Sequence, residues 1–533
     1  MKKGFTLIEL IAVITLLAIL GILVIPSILN LVKNKQKDLS DASNDVLYKA
    51  TELYLSKHDD YDLINGNIYC ISLSELASEN LITTPFVNPV TRSEISLDKQ
   101  VEVSVVNKSY TYNFKDSCTE KYVYNDGTGA NVPDLLNKMV PIKYDGTNWI
   151  YADIYTNWYD YNNKQWANAV VLNTGVDKKV GDIISESDVA LWYVWLPRYK
   201  YTIFNGNNES VPEQVINVTF EKNTNTTGSV KCTNNIDGTE GCIDKNFNYI
   251  KNNSSTYTHP AFTFGSRELT GIWVGKFEIS TTDTTCNNTP SVSNCNKISV
   301  VTIKPGVSSF RYTNVSNFFY SIQNISEDYE ITDGDSHMLK NMEWGAVAYL
   351  KQSKYGLGTT DIGINNNSNY ITGCGAPTES ASSTTCNKYN TATGMLASTT
   401  GNIYGVYDMS GGAYEYVMGN MKNSSNEFYS NSAGFTNTPD SKYYDTYKYG
   451  EGTQTNYHER GKLGDATKET LTNFNYNAGG WYKDHSYFVK DSYSWLSRGG
   501  GYSGTSSVGI FYFSGVNGGT SNYYSSRAVL SSK

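Results

Sequence analysis

The chain has 533 residues, enough for more than one domain and at least one sizeable hydrophobic core. Aromatic residues make up 13% of it, with 43 Tyr, which excludes general disorder. A formal net charge of −9, with no block of like charges, argues against a nucleic-acid partner, which would call for a basic face.

The first element is the apolar run from Phe5 to Ile25, preceded by Lys2 and Lys3 and interrupted only by Glu9. Its length suits a membrane-spanning helix of about 20 residues. No small-residue cleavage site follows it, as a secretory signal would require. A plain anchor has no use for a carboxylate near its start, because burying one in lipid is costly.

From Lys33 to about Tyr54 the apolar spacing is helical and amphipathic. Residues 61–125 read as short strands and turns, including the alternating VEVSVV and YTYNF, bracketed by Cys70 and Cys118. A turn-rich stretch from Lys121 to Met139 marks a change of composition. Farther on, ALWYVWLPRYKYTIF and LTGIWVGKFEIS read as strands. HMLKNMEWGAVAYLKQSKYG reads as a helix through Met338, Met342, Val347 and Leu350, stopping near Gly356.

The eight cysteines fall in local pairs: Cys70/Cys118, Cys232/Cys242, Cys286/Cys295 and Cys374/Cys386. Spacing alone leaves the connectivity open, but disulfides of an exported protein explain the pattern better than free thiols. No C-x-x-C and no Cys/His cluster of zinc spacing occurs, so no metal ligands are assigned.

The opening KGFTLIE resembles the signature of type IV prepilins, over Lys3 to about Val32. The resemblance implies that a prepilin peptidase cuts after Gly4 and leaves Phe5 as an N-methylated first residue. It also implies that Glu9 neutralises the N-terminal ammonium of a neighbouring pilin subunit during filament assembly, and that Pro26 stands where pilin helices kink. Residues 1–4 would be the leader, 5–54 the membrane and stem helix, and 55–125 a small head. Residues 126–186 would be a linker with lead-in strands.

Over roughly residues 187–533, YGVYDMSGGAYEYVMG, RGGGY and SRAVL resemble the formylglycine-generating-enzyme type of C-type lectin domain. Gly405, Asp408, Met409, Gly411, Tyr414, Glu415 and Tyr416 occupy its first motif, with Tyr in place of Trp, and Gly412 stands where that family has Asn. Arg498, Gly499, Gly500 and Tyr502 occupy the second, and Arg527 takes the final arginine. The expected fold is therefore α+β: a long N-terminal pilin helix with a small head, then a large C-type-lectin-like domain.

The enzymatic members need a cysteine pair after the R-G-G motif, and this chain has no cysteine after Cys386. His458 and His485 have no Ser or Cys partner in a recognisable spacing. No catalytic residues and no enzyme activity are expected. No cofactor is assigned, and a structural calcium is left open without ligands.

A second group on this fold, the variable proteins of diversity-generating retroelements, is similar to this chain in its C-terminal segment. There, adenine-specific rewriting of AAC and AAT codons excludes Lys, Glu, Gln, Met and Trp. These five types make up 83 of the 533 residues, so about five would be expected in the 33 residues from Arg498 to Leu530; none occurs. Arg498, Gly499, Gly500, Phe511, Phe513 and Arg527 would hold the scaffold. Gly501, Ser503, Ser507, Tyr512, Ser514, Gly515, Val516, Asn517, Gly519, Asn522, Tyr523 and Tyr524 would form the variable surface, with Tyr512 outward between two inward phenylalanines. Tyr, Ser, Gly and Asn are also the residues of antibody binding loops.

The expected function is a pilin-anchored, surface-displayed protein binding an extracellular protein or glycan, with no nucleic acid. The alternatives are a structural minor pilin or pseudopilin and an adhesin without diversification. Localisation would be the cell membrane for the precursor and then the cell surface or an extracellular pilus.

Overall fold

The computed structural model describes residues 7–58, 60–106, 108–203, 212–228, 230–231, 256–283, 285–286, 295–377, 386–450, 461–473 and 476–533. Gly4, Phe5, Cys232, Cys242 and His458 lie outside these, as does the side chain of Glu9. The chain divides into two compact units, residues 1–123 and 124–533.

The α+β class expected above, a pilin helix followed by a C-type-lectin-like domain, is corrected by the structure. Strands account for 27% of the residues and helices for 19%, so the protein is mostly β-sheet. Among the described residues no helix is long and apolar enough to cross a membrane. The reason lies in the larger unit, whose aromatic and β-branched bursts pair with one another as strands and leave little chain for helices.

The first unit contains the helix Leu7–Lys57 and an antiparallel sheet in the order Ile68–Ser72, Gln100–Val106, Ser109–Lys115. Leu47, Ala50, Tyr54 and Leu55 recur at helical spacing, are buried, and join Val101, Val103 and Val105 of the middle strand in one core. Val101, Val103 and Val105 alternate with partly exposed residues, as a strand with one covered face requires. Ser72 starts the short helix Leu73–Ser78: Glu75 N donates to Ser72 Oγ at 3.2 Å and Ser72 N donates to Glu75 Oε2 at 2.7 Å. A disulfide joins Cys70 to Cys118.

The second unit is built on an eight-stranded sheet. Its order is Gly334–Met338, Ala528–Ser532, Gly271–Gly275, Val189–Pro197, Asn168–Leu172, Met139–Tyr144, Trp149–Tyr151, Ile183–Ile184. Every neighbouring pair is antiparallel. All nine residues of Val189–Pro197 are buried, so this central strand is covered on both faces and reads as a continuous apolar run. Four of the eight strands come from residues 139–184, a stretch expected to be linker with lead-in strands; they are integral to the sheet.

Lys276, just beyond the Gly271–Gly275 strand, is fully buried. Its Nζ donates to Asn168 Oδ1 at 2.9 Å, Ile403 O at 2.7 Å and Gly405 O at 3.0 Å. The ring centroids of Trp149, Trp192 and Tyr407 lie about the same Nζ at 5.4, 5.5 and 5.4 Å. Three acceptors and three ring faces compensate a cation that burial pushes well below its ordinary pKa.

A second, mixed sheet runs Asp445–Tyr447, Tyr414–Met421, Trp495–Arg498, Phe513–Val516, Ser486–Tyr487, and Tyr524–Ser526 pairs in parallel with the start of Tyr414–Met421. The helix Asn341–Lys351 is buried along its whole length. It begins later than its sequence pattern suggests, because Met338 belongs to the preceding strand Gly334–Met338. Disulfides join Cys286 to Cys295 and Cys374 to Cys386.

Candidate functional site

The segment 498–530 starts and ends on buried arginines. Arg498 closes the strand Trp495–Arg498, opposite Glu415 on one side and Phe513 on the other. Its Nη1 donates to Asn341 Oδ1 at 3.0 Å and Asp465 O at 3.1 Å, and its Nη2 to Ala466 O at 3.0 Å. The Trp344 ring centroid lies 5.4 Å from the guanidinium carbon. Burial pushes Arg498 down to about 10, and Asp465 opposes that shift.

Arg527 stands between the second sheet, which ends at Ser526, and the first, which resumes at Ala528. It donates from Nε to Glu415 Oε2 at 3.0 Å and from Nη2 to Glu415 Oε1. Nη1 reaches Gly275 O at 2.8 Å and Nη2 reaches Tyr407 O at 2.8 Å. Two more buried carboxylates stand near: Glu278 accepts from Ala413 N at 2.9 Å, and Asp408 accepts from Asn365 Nδ2 at 2.7 Å. Burial raises the pKa of all three acids, Glu415 to about 7, while Arg527 pulls each of them down.

Two glycines in this frame answer to geometry. Gly412 has φ +69°, and a Cβ there would lie 2.3 Å from Glu278 Oε1, so a larger residue would require the Glu278 carboxylate to shift. Gly500 has φ +74°, and its Cβ would meet Val508 Cγ1 at 2.4 Å.

The expected variable positions divide by burial. Ser503, Asn517 and Tyr523 are exposed, Tyr523 by 50%, and Ser507, Ser514, Val516, Gly519, Asn522 and Tyr524 are partly exposed. Gly501, Gly515 and Tyr512 are buried, which corrects the expected outward placement of Tyr512. The strand begins only at Phe513, so no alternation governs Phe511 and Tyr512, and both turn inward. The Tyr512 ring lies between His485, stacked at 5.2 Å, and Tyr414 at 5.8 Å.

Two stretches of the segment converge on Gly412–Tyr414. Tyr502 N donates to Gly412 O at 2.7 Å, and Tyr414 N donates to Tyr523 O at 2.9 Å. Tyr524 packs on Tyr414 at 5.3 Å and stacks on Tyr416 at 4.4 Å. Asn517 and Gly519 are held elsewhere, by Ser432 N at 3.2 Å and Tyr416 Oη at 2.8 Å respectively. The outcome is a polar and aromatic surface with no charged residue between Gly499 and Ser526.

Residues outside the segment complete this surface. Tyr370 meets Tyr502 edge-on at 4.7 Å, and Arg311 lies against Tyr370 at 3.9 Å. His485, which has no Ser or Cys partner in its sequence spacing, is partly buried in the stack with Tyr512, and burial pushes its pKa down to about 4. Neither Arg311 nor Tyr370 stands in a motif, so no sequence signal marks them.

Among the described residues no group of three or more His, Cys, Asp or Glu side chains is placed to hold a metal ion. Comparison with protein-family models gives no match, and comparison with curated proteins gives none.

Proposed function

We propose that the chain is a surface-displayed binding protein whose C-terminal polar and aromatic face takes extracellular protein or glycan ligands and is diversified by a retroelement. The N-terminal KGFTLIE sequence supports a prepilin route: a prepilin peptidase would cut after Gly4, and Glu9 would pair with another pilin subunit in a filament. The role is binding and display, without catalysis.

One observation carries this reading. The exposed and partly exposed positions of 501–524 are Ser, Asn, Gly, Thr, Tyr and Val, mounted on a frame held by the buried Arg498 and Arg527. A rigid frame supports exchange of surface residues, because truncating or enlarging an exposed side chain costs little stability. Tyr supplies contact area at low entropic cost, and the small polar residues adapt their hydrogen bonds. The absence of Lys, Glu, Gln, Met and Trp from Arg498–Leu530 is what rewriting of AAC and AAT codons would leave.

The test is genetic. A near-repeat of the coding segment for 498–530, differing only at adenines and lying beside a reverse-transcriptase gene, is the expected finding. Sister strains should vary at Ser503, Asn517 and Tyr523 while keeping Arg498 and Arg527. A locus without such a repeat, or with variation spread evenly over the chain, would overturn diversification.

A further inference from the structure

The buried arginines of the described residues are not equally matched, and both Arg311 and Arg498 leave Nε without a partner. Arg198 meets Glu221 at 3.1 Å and Glu268 at 2.7 Å, Arg527 meets Glu415 together with two carbonyls, and Arg498 reaches three acceptors within 3.1 Å. Arg311 is matched least. It is 5% exposed, its one hydrogen bond runs from Nη1 to Asn522 O at 2.7 Å, and its buried Nε has no partner. It forms no ion pair among the described residues, although a guanidinium carries five N–H donors. Leaving a buried cation so poorly matched is costly unless something else completes it.

The position of Arg311 shows what could complete it. The flat side of its guanidinium rests on the Tyr370 ring, 3.9 Å away, and Tyr370 in turn packs against Tyr502 at 4.7 Å. Its Nη1 bond ends on Asn522, next to the half-exposed Tyr523. That leaves the Nε–Nη2 edge, the side that forks onto a carboxylate with two parallel hydrogen bonds. Glu278 is the carboxylate whose charge acts on Arg311, and Glu278 is engaged by Ala413 N. The chain from Gly499 to Ser526 adds no charge of its own to repel an anion.

We propose that Arg311 is a fixed carboxylate anchor at the base of this face, and that the carboxylate belongs to an acidic sugar. Tyrosine faces around the anchor suit the apolar side of a sugar ring, and the Ser and Asn side chains suit its hydroxyls. Arg311 and Tyr370 lie outside 498–530, so the anionic requirement stays constant while the surrounding residues set which sugar or linkage is taken. The proposal rests on the reading of this face as a ligand-binding surface.

The test is titration calorimetry of the full chain with oligogalacturonate, its neutral methyl ester and an oligo-aspartate peptide. Oligogalacturonate should bind, and the ester should bind about tenfold more weakly or worse, as loss of a charge-assisted pair demands. Arg311→Lys, which keeps the charge and removes the fork, should weaken oligogalacturonate binding by a similar factor. Equal binding of acid and ester, unaltered binding by the Lys variant, or no binding of either acidic probe would overturn the anchor. Binding of the peptide without oligogalacturonate would overturn the sugar. The ester comparison needs no variant, so it decides the matter even where an Arg311 substitution fails to fold. Failure of these arms alongside variation confined to 498–530 in sister strains would remove the anchor and leave the binding face standing.

Discussion

Nε of Arg527 lies 3.0 Å from Oε2 of Glu415, and both side chains are fully buried. Arg527 sits where the chain leaves the second sheet and enters the first, and Glu415 belongs to the strand Tyr414–Met421 of the second sheet. The pair therefore locks the exit of the aromatic segment to its neighbour strand.

Removing Arg527 leaves the buried Glu415 without its ion-pair partner. Arg527→Met should destabilise the protein by about 3–5 kcal/mol, and the double variant Arg527→Met, Glu415→Gln should recover a large part of the loss. Chemical denaturation of the three proteins measures this. A single variant within about 0.5 kcal/mol of the wild type would show that the pair holds nothing.

Tyr512 and Tyr523 are both tyrosines of the same segment and should behave oppositely. Tyr512→Ala opens a buried aromatic site and should cost about 3 kcal/mol. Tyr523→Ala removes a half-exposed ring and should change stability by less than about 0.5 kcal/mol. Melting curves of the two variants separate them, and similar losses would place Tyr523 in the core.

His485 makes stability depend on pH. Burial beside Tyr512 holds its pKa near about 4, below the 6.5 of a free histidine. The unfolded chain then binds the extra proton first, so this contribution is complete above pH 6.5 and is lost as pH falls towards 4. His485→Phe should remove about 2 kcal/mol of acid sensitivity in that window, a figure reduced for the partial exposure of the ring. His259, pushed in the same direction by burial, keeps some sensitivity in the variant. Denaturation curves at pH 4.5 and 7 that shift equally in both proteins would contradict this.

The Cys70–Cys118 bridge closes a span of 48 residues in the first unit. The entropy removed from the unfolded chain corresponds to about 4 kcal/mol. Cys70→Ser with Cys118→Ser should therefore speed hydrogen exchange in the strands Ile68–Ser72 and Gln100–Val106, with little change in the Val189–Pro197 strand of the second unit. Unchanged exchange in the first unit would mean that its core suffices without the bridge.

Much of the local structure was legible in the sequence. The alternation of VEVSVV places Val101, Val103 and Val105 inward, and the nine-residue run from Val189 is a covered strand, because such patterns depend only on neighbours along the chain. Alternation puts Tyr512 outward, but it holds only from the strand's first residue, Phe513, and Tyr512 precedes it. Met338 fits a helical period and a buried strand equally well, and it ends the strand Gly334–Met338.

The even number and local spacing of the cysteines, the R-G-G motif and the restricted residue set of the C-terminal segment belong to the sequence by itself, since each is a property of neighbouring residues or of codons. The balance of sheet over helix, the inward turn of Tyr512 and the meeting of Arg311 with Asn522, 211 residues away, were decided only in three dimensions. Burial and hydrogen bonding at those positions come from partners far along the chain, and no periodicity records which of many polar residues will be left beside an arginine when the sheets close.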